Sequence, residues 1–333
     1  MNIKFEHHQS AHCENGVTSN LLKYYGINAS EPLIFGMGAG IFFSYLPFIK
    51  VNHAPGSSFR PMPGLVFKRA AKNLGIDIYR KKYRSQDRAM RDLDEALEKG
   101  KPVGLQVGVF HLTYFPDPYR FHFNAHNLVV FGKEGDEYLI SDPVMETTTT
   151  LTTKELRRVR FAKGIFSPKG QIYYPNVIPE NVDIEGAIIK GIKRAANDMT
   201  SIPIPLFGVK GIKYLSKDVR KWPKKHGDKK AALYLGAIVR MQEEIGTGGA
   251  GFRFMYAAFL QEAADILNNP ALNELSQELT QVGDRWREFA LSASRIYKNR
   301  NVGDLTYNDP ADILLDISEK EKHIFTSLKK AIR

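Results

Sequence analysis

At 333 residues, 43% hydrophobic and 25% charged, the chain has room for two ordinary domains and lacks the composition of a disordered protein. Its single cysteine, Cys13, excludes an internal disulfide and fits a reducing compartment. Residues 1–8 hold no apolar core of signal-peptide length, so a cytoplasmic protein is expected. The net charge of +11 argues against a polycation as the main unaided ligand and favours acidic partners. The basic groups at 80–84 and 221–226 belong to no nucleic-acid motif, so solvated surface is expected there and no nucleic-acid partner.

Residues 13–25 predict a first helix. Val17, Leu21 and Tyr24 or Tyr25 recur at helical spacing, Gly26 supplies a stop, and Ser10 is the candidate N-cap, which places Cys13 in the first turn. An apolar run over 33–51 is broken by Gly36, Gly38, Gly40 and Pro47 and does not read as a membrane span. A proline-rich loop around Pro55, Pro61 and Pro63 follows, then a helix over 65–74, a strand over 76–83 and a helix over 88–99 that stops at Gly100. The period then changes to two, with Val103, Leu105, Val107 and Val109 alternating against small or polar residues. Strands over 127–131 and 138–141 flank a turn at 133–136. Residues 173–180 read as a linker, and beyond it helical periodicity dominates, in segments near 184–199, 208–220, 228–245, 252–267, 271–298 and 310–331. The fold class is α+β over 1–174, followed by an all-α domain over 182–333.

Cys13 is a candidate nucleophile, because the positive end of a helix dipole and a nearby imidazolium both favour a thiolate; the structural alternative is a buried inert cysteine. If residues 133–135 form a three-residue loop, Gly132 faces Asp136, and His126 and Asp142 become direct cross-strand neighbours on one face. A carboxylate in that place fixes the imidazole tautomer while the other ring nitrogen faces the thiol. Taken singly, His126 reads equally as a structural histidine and Asp142 as a turn residue before Pro143. A two-residue loop would shift the register and spoil the alignment. Oxyanion donors are sought in the Cys13 backbone N–H and the Gln9 side-chain amide.

A second motif, residues 246–253, places Gly248 and Gly249 beside Arg253 between two helices. It reads either as a site for a phosphate or carboxylate held by Arg253, or as a glycine-rich turn with Arg253 paired to an acid such as Glu244. It is neither a Walker loop nor a dinucleotide fingerprint. His7, His8, His12 and Cys13, with His122 or His126, form a weak zinc alternative whose spacing matches no strong pattern, so no metal is expected.

The runs His12-Cys13-Glu14-Asn15-Gly16, residues 21–26 and residues 125–132 resemble the butirosin biosynthesis protein H N-terminal domain family. The helical half, above all residues 243–253, resembles the domain of unknown function often fused to it. The resemblance implies a papain-like fold with Cys13, His126 and Asp142 in the order of its catalytic residues. It also implies transfer of an acyl group from an acyl carrier protein, through a cysteine thioester, to an amine or hydroxyl of a small-molecule acceptor, in secondary-metabolite or lipid biosynthesis. His126 would act first as base and later as acid, and no cofactor is implied beyond the phosphopantetheine that the carrier protein delivers. A basic surface suits an acidic carrier but repels a polycationic aminoglycoside, which leaves the acceptor open. A cysteine peptidase or amidase of the same fold and a non-catalytic binding module are the competing readings.

Overall fold

The computed structural model describes residues 2–245, 247–300 and 302–332. In chain order its helices and strands are α1 (Cys13–Tyr24), α2 (Glu31–Met37), β1 (Ser44–Val51), β2 (Ala54–Ser58), α3 (Leu65–Asn73), β3 (Asp77–Lys81), α4 (Gln86–Glu98), β4 (Val103–Val107), β5 (His126–Glu134), β6 (Glu137–Ser141), β7 (Thr149–Thr152), α5 (Thr153–Arg160) and β8 (Ile172–Val177). The helices α6 (Ile184–Thr200), α7 (Gly208–Val219), α8 (Trp222–His226), α9 (Asp228–Glu243), α10 (Arg253–Ile266), α11 (Pro270–Lys298) and α12 (Asn308–Ala331) follow. Two compact units emerge, Met1–Ile34 with Ala71–Asp183, and Phe35–Ala70 with Ile184–Arg333. The contiguous domains 1–174 and 182–333 expected from the sequence miss that residues 35–70 group with the helices. Phe35, Phe43, Tyr45 and Phe59 are fully buried, and local periodicity does not tell which core an apolar segment enters.

The first unit is built on a six-stranded sheet in the order β3-β8-β4-β5-β6-β7, antiparallel at every pairing. Leu93 and Leu97 of α4, Leu105 and Val107 of β4, Leu128 and Val130 of β5, Ile140 of β6 and Leu156 and Val159 of α5 share one buried cluster. The expected linker over 173–180 is corrected: its first half belongs to β8, which pairs with β3 on one side and β4 on the other. Pro175 hides the strand in the sequence, but it sits where β8 extends past β4 and pairs with β3 alone.

Helix α1 is buried continuously from Cys13 to Leu22. Its polar residues are kept inside by fixed partners. Thr18 Oγ1 donates to the Glu14 carbonyl (2.7 Å), Ser19 Oγ to the Ala29 carbonyl (2.6 Å) and Asn20 Nδ2 to the His8 carbonyl (3.0 Å). Gly16 has a steric reason to lack a side chain, since a Cβ there would lie 2.6 Å from the Cβ atoms of both Pro143 and Ser10. The turn that follows Asp142 therefore rests directly on the first turn of α1.

In the second unit β1 and β2 form a hairpin across Asn52 and His53, both left-handed (φ 48° and 67°), as a two-residue turn of this kind demands. The rings of Phe43 and Phe59 pack on Trp286 of α11 at centroid distances of 6.0 and 5.2 Å. Helix α11 packs in turn against α9, α10 and α12. Among the described residues no helix is long and apolar enough to cross a membrane.

Candidate active site

Cys13 opens α1. Its N-cap is His12, in extended conformation and without a side-chain cap bond, so the expected Ser10 cap is corrected. The chain before the helix is held instead by Glu31, the first residue of α2. Its Oε2 accepts the Ala11 N–H (2.9 Å) and its Oε1 the His12 N–H (2.7 Å). Burial pushes the Glu31 carboxyl up, and these two N–H bonds pull it back. The N–H groups of Ala11 and His12 are thus both committed to Glu31.

His126 opens β5 beside Val107 of β4. Its Nε2 lies 2.7 Å from Asp142 Oδ2, with the His126 residue 5% and the Asp142 residue 0% exposed. Because Nε2 is taken by the carboxylate, Nδ1 is the ring nitrogen left for Cys13, which acts on the imidazole electrostatically and as a hydrogen-bond partner. Burial alone would lower the imidazole pKa, but Asp142 and then Cys13 outweigh it and raise it to about 10. Cys13 is 7% exposed. The three residues singled out from the sequence thus meet in one buried cluster.

They meet by a different route from the one expected. The β5–β6 turn has two residues, with Glu134 facing Glu137, not the three-residue loop of the sequence reading. That odd shift would send Asp142 to the wrong face. A bulge between Val130 and Gly132 cancels it, and beyond the bulge Val130 faces Ile140 and Val129 faces Ser141. Continued by one position, this register sets Asp142 beside Leu128, two residues from His126 on the same face. The pair is diagonal, not directly opposed.

Tyr114 was not singled out from the sequence, and no motif marks it. Its hydroxyl donates to the same Asp142 Oδ2 (2.7 Å), and burial followed by the Asp142 charge pushes its pKa well above the usual range, so it stays a donor. Asp142 Oδ1 accepts the Val144 N–H (3.2 Å), which makes Asp142 an acceptor in every contact. The ring of Phe115 stands edge-on to His126 at 5.4 Å. Gln9 is exposed; what the structure ties to the site is its neighbour Ser10, whose N–H donates to the Pro143 carbonyl (2.6 Å).

The second motif belongs to the second unit. Gly246 lies outside the described residues. Gly248, Gly249, Ala250, Gly251 and Phe252 all have left-handed φ, from 50° to 88°, and deliver Arg253 inward at the start of α10. Arg253 and Glu321 of α12 are both 0% exposed and joined twice, Nε to Oε1 at 2.8 Å and Nη2 to Oε2 at 2.9 Å, while Nη1 donates to the Gly251 carbonyl. Trp286 Nε1 donates to the same Oε1. The ligand-binding reading of Gly248, Gly249 and Arg253 is corrected to a buried structural pair, with Glu321 and not Glu244 as the partner. Glu321→Ala is expected to cost about 3–5 kcal/mol, because it strands a buried guanidinium. Both tryptophans, Trp222 and Trp286, lie in this unit, so their fluorescence in a urea titration reads the loss.

The histidines of the zinc alternative serve separate partners. His7 bonds Ser141 and the Met145 carbonyl, His8 lies 3.5 Å from Glu6, and His122 stacks on Phe110. Among the described residues no three His, Cys, Asp or Glu side chains group as metal ligands.

Two family models match the chain. Residues 12–143, which span Cys13, His126 and Asp142, match Butirosin biosynthesis protein H, N-terminal, and residues 154–328 match the domain of unknown function DUF4872. A solved structure described as a C39-like peptidase from Bacillus anthracis is similar at 16% identity and a TM-score of 0.36, over 54% of this chain and 98% of that one. No curated protein matches the sequence.

Proposed function

Because the chain belongs to the DUF4872 family and carries the butirosin biosynthesis protein H N-terminal domain ahead of it, we propose that it is a cysteine-dependent acyltransferase. The acyl group comes from a phosphopantetheine thioester on an acyl carrier protein and passes through Cys13 to an amine or hydroxyl. The observation that carries the reading is the buried His126–Asp142 bond, which holds one face of the imidazole and leaves the other to the sulfur. A helix-borne Cys against a strand-borne His and an Asp just past the next strand is the papain-type layout for acyl chemistry.

In this reading the raised imidazole carries the proton, and His126 acts as acid before it acts as base. Cys13 Sγ attacks the thioester carbonyl, and the first-turn N–H of Cys13 faces the oxyanion, with Gln9 as the second donor in this reading. The carbon–sulfur bond to pantetheine breaks, and the departing thiolate takes the proton from His126 Nδ1. The acceptor amine then attacks the Cys13 thioester and gives its proton to Nδ1. The amide leaves, and Sγ returns to its starting state.

Transfer and hydrolysis differ only in the second nucleophile. Incubation with an acyl-pantetheine thioester and a panel of primary amines is expected to yield amide faster than free acid at millimolar amine. Free acid alone, whatever amine is present, would point to the peptidase or amidase reading instead.

A further inference from the structure

The segment before the nucleophile runs first along β5 and then along the turn that carries the triad aspartate. Ile3 N–H donates to the Phe131 carbonyl (3.1 Å), at the bulge that resets the β5–β6 register, and Phe5 stacks on Phe131 at 5.5 Å. His7 comes next, then Ser10 on the Pro143 carbonyl, then Cys13 itself.

Asp142 stands at the head of a turn closed by the Met145 N–H on the Asp142 carbonyl (3.0 Å) and by the Val144 N–H on Oδ1. His7 grips this turn from both ends. Its Nδ1 lies 2.8 Å from the hydroxyl of Ser141, the residue before Asp142, and its Nε2 lies 3.1 Å from the carbonyl of Met145, the residue that closes the turn. A carbonyl only accepts, so Nε2 carries the hydrogen, and in the neutral ring Nδ1 accepts from the Ser141 hydroxyl. Ser141 is fully buried and its side chain, by strand alternation, leaves the face that Asp142 shares with His126. The ring therefore braces the carboxylate from behind while touching none of the reacting atoms.

We propose that His7 is a positioning residue, which bridges Ser141 and Met145 and so fixes the turn that aims Asp142 at His126. The inference rests on Cys13, His126 and Asp142 being the working triad, and its test uses no acyl donor, so its failure is separable from failure of the acyltransferase reading.

The test is the titration of His126 by NMR in the full chain, labelled at histidine, together with the rate of Cys13 alkylation by iodoacetamide. In His7→Ala the imidazole is expected to titrate at lower pH than in the wild type. Alkylation at pH 7 is expected to fall by roughly 10- to 100-fold, the penalty of an ångström-scale misplacement. His7→Gln, which retains a donor for the Met145 carbonyl, is expected to fall between the two. Should His7→Ala fail to fold, Ser141→Ala removes one of the two bonds and is expected to shift the titration in the same direction by less. A folded His7→Ala, or in its place a folded Ser141→Ala, with wild-type titration and wild-type alkylation would overturn the proposal.

Discussion

Cys13→Ala is expected to lower acyl transfer by on the order of 10⁵-fold, since removal of the nucleophile from a cooperating triad costs about as much as removal of the whole set. Folding survives, because the change deletes one small buried atom at the start of α1, a loss of about 1 kcal/mol. The variant also changes the behaviour of its neighbour. His126 is raised from 6.5 to about 10 by Asp142 and Cys13 acting against burial, so loss of the sulfur should bring the imidazole down. Since its folded value lies above its unfolded one, His126 contributes stability that is fully present below about pH 6.5 and is lost as pH rises towards 10. That window narrows in Cys13→Ala and vanishes in His126→Ala, a sequence that thermal melts across pH 6 to 10 would reveal. Wild-type turnover in Cys13→Ala would remove the sulfur from the mechanism.

Asp142→Asn is expected to reduce kcat by roughly 10³- to 10⁴-fold with little change in KM, as loss of the correct tautomer does in such triads. Every partner of Asp142 is a donor: His126 Nε2 and the Tyr114 hydroxyl on Oδ2, and the Val144 N–H on Oδ1. An asparagine must turn its amide NH₂ towards one of them. Aimed at Val144 it meets an N–H. Aimed at His126 it forces Nε2 to accept, which places the ring hydrogen on Nδ1 and disables it as a base. Some activity should persist relative to His126→Ala, because the imidazole is still present. Tyr114→Phe makes a useful contrast, since it deletes one donor without reversing any bond and should cost about tenfold or less. An Asp142→Asn enzyme within tenfold of wild type would mean that the aspartate serves only the turn.

Long local patterns carried most of what was legible in the sequence. The start of α1 at Cys13, the stop at Gly26, the β5–β6 hairpin and the run of helices from Ile184 all follow from periodicity and punctuation within about ten residues. The elements missed depend on distant partners. Strand β8 is held by β3 and β4, from nearly a hundred and nearly seventy positions upstream respectively. The β1–β2 hairpin contains Pro47 and Pro55, which made it read as loop, and it is seated through Tyr45 on the Leu206 carbonyl. The three chemistry-bearing residues could be chosen by type, but the bulge at Phe131 that brings Asp142 to the right face has no residue signature, and the loop length inferred without it was wrong. Tyr114, Glu31 and His7 act through one or two hydrogen bonds each to segments outside their own element. Arg253 shows the converse: a glycine-rich loop advertises a ligand, and a glutamate 68 residues on already occupies the guanidinium.

The most direct measurement is the intact mass of the protein after incubation with an acyl-pantetheine thioester on a carrier protein, followed by peptide mapping. The expected result is a gain of one acyl group on Cys13, discharged when an amine acceptor is added and absent from Cys13→Ala. A wild-type protein that gains no acyl group, or that carries it on another residue, would contradict a thioester at Cys13 as the centre of this chemistry.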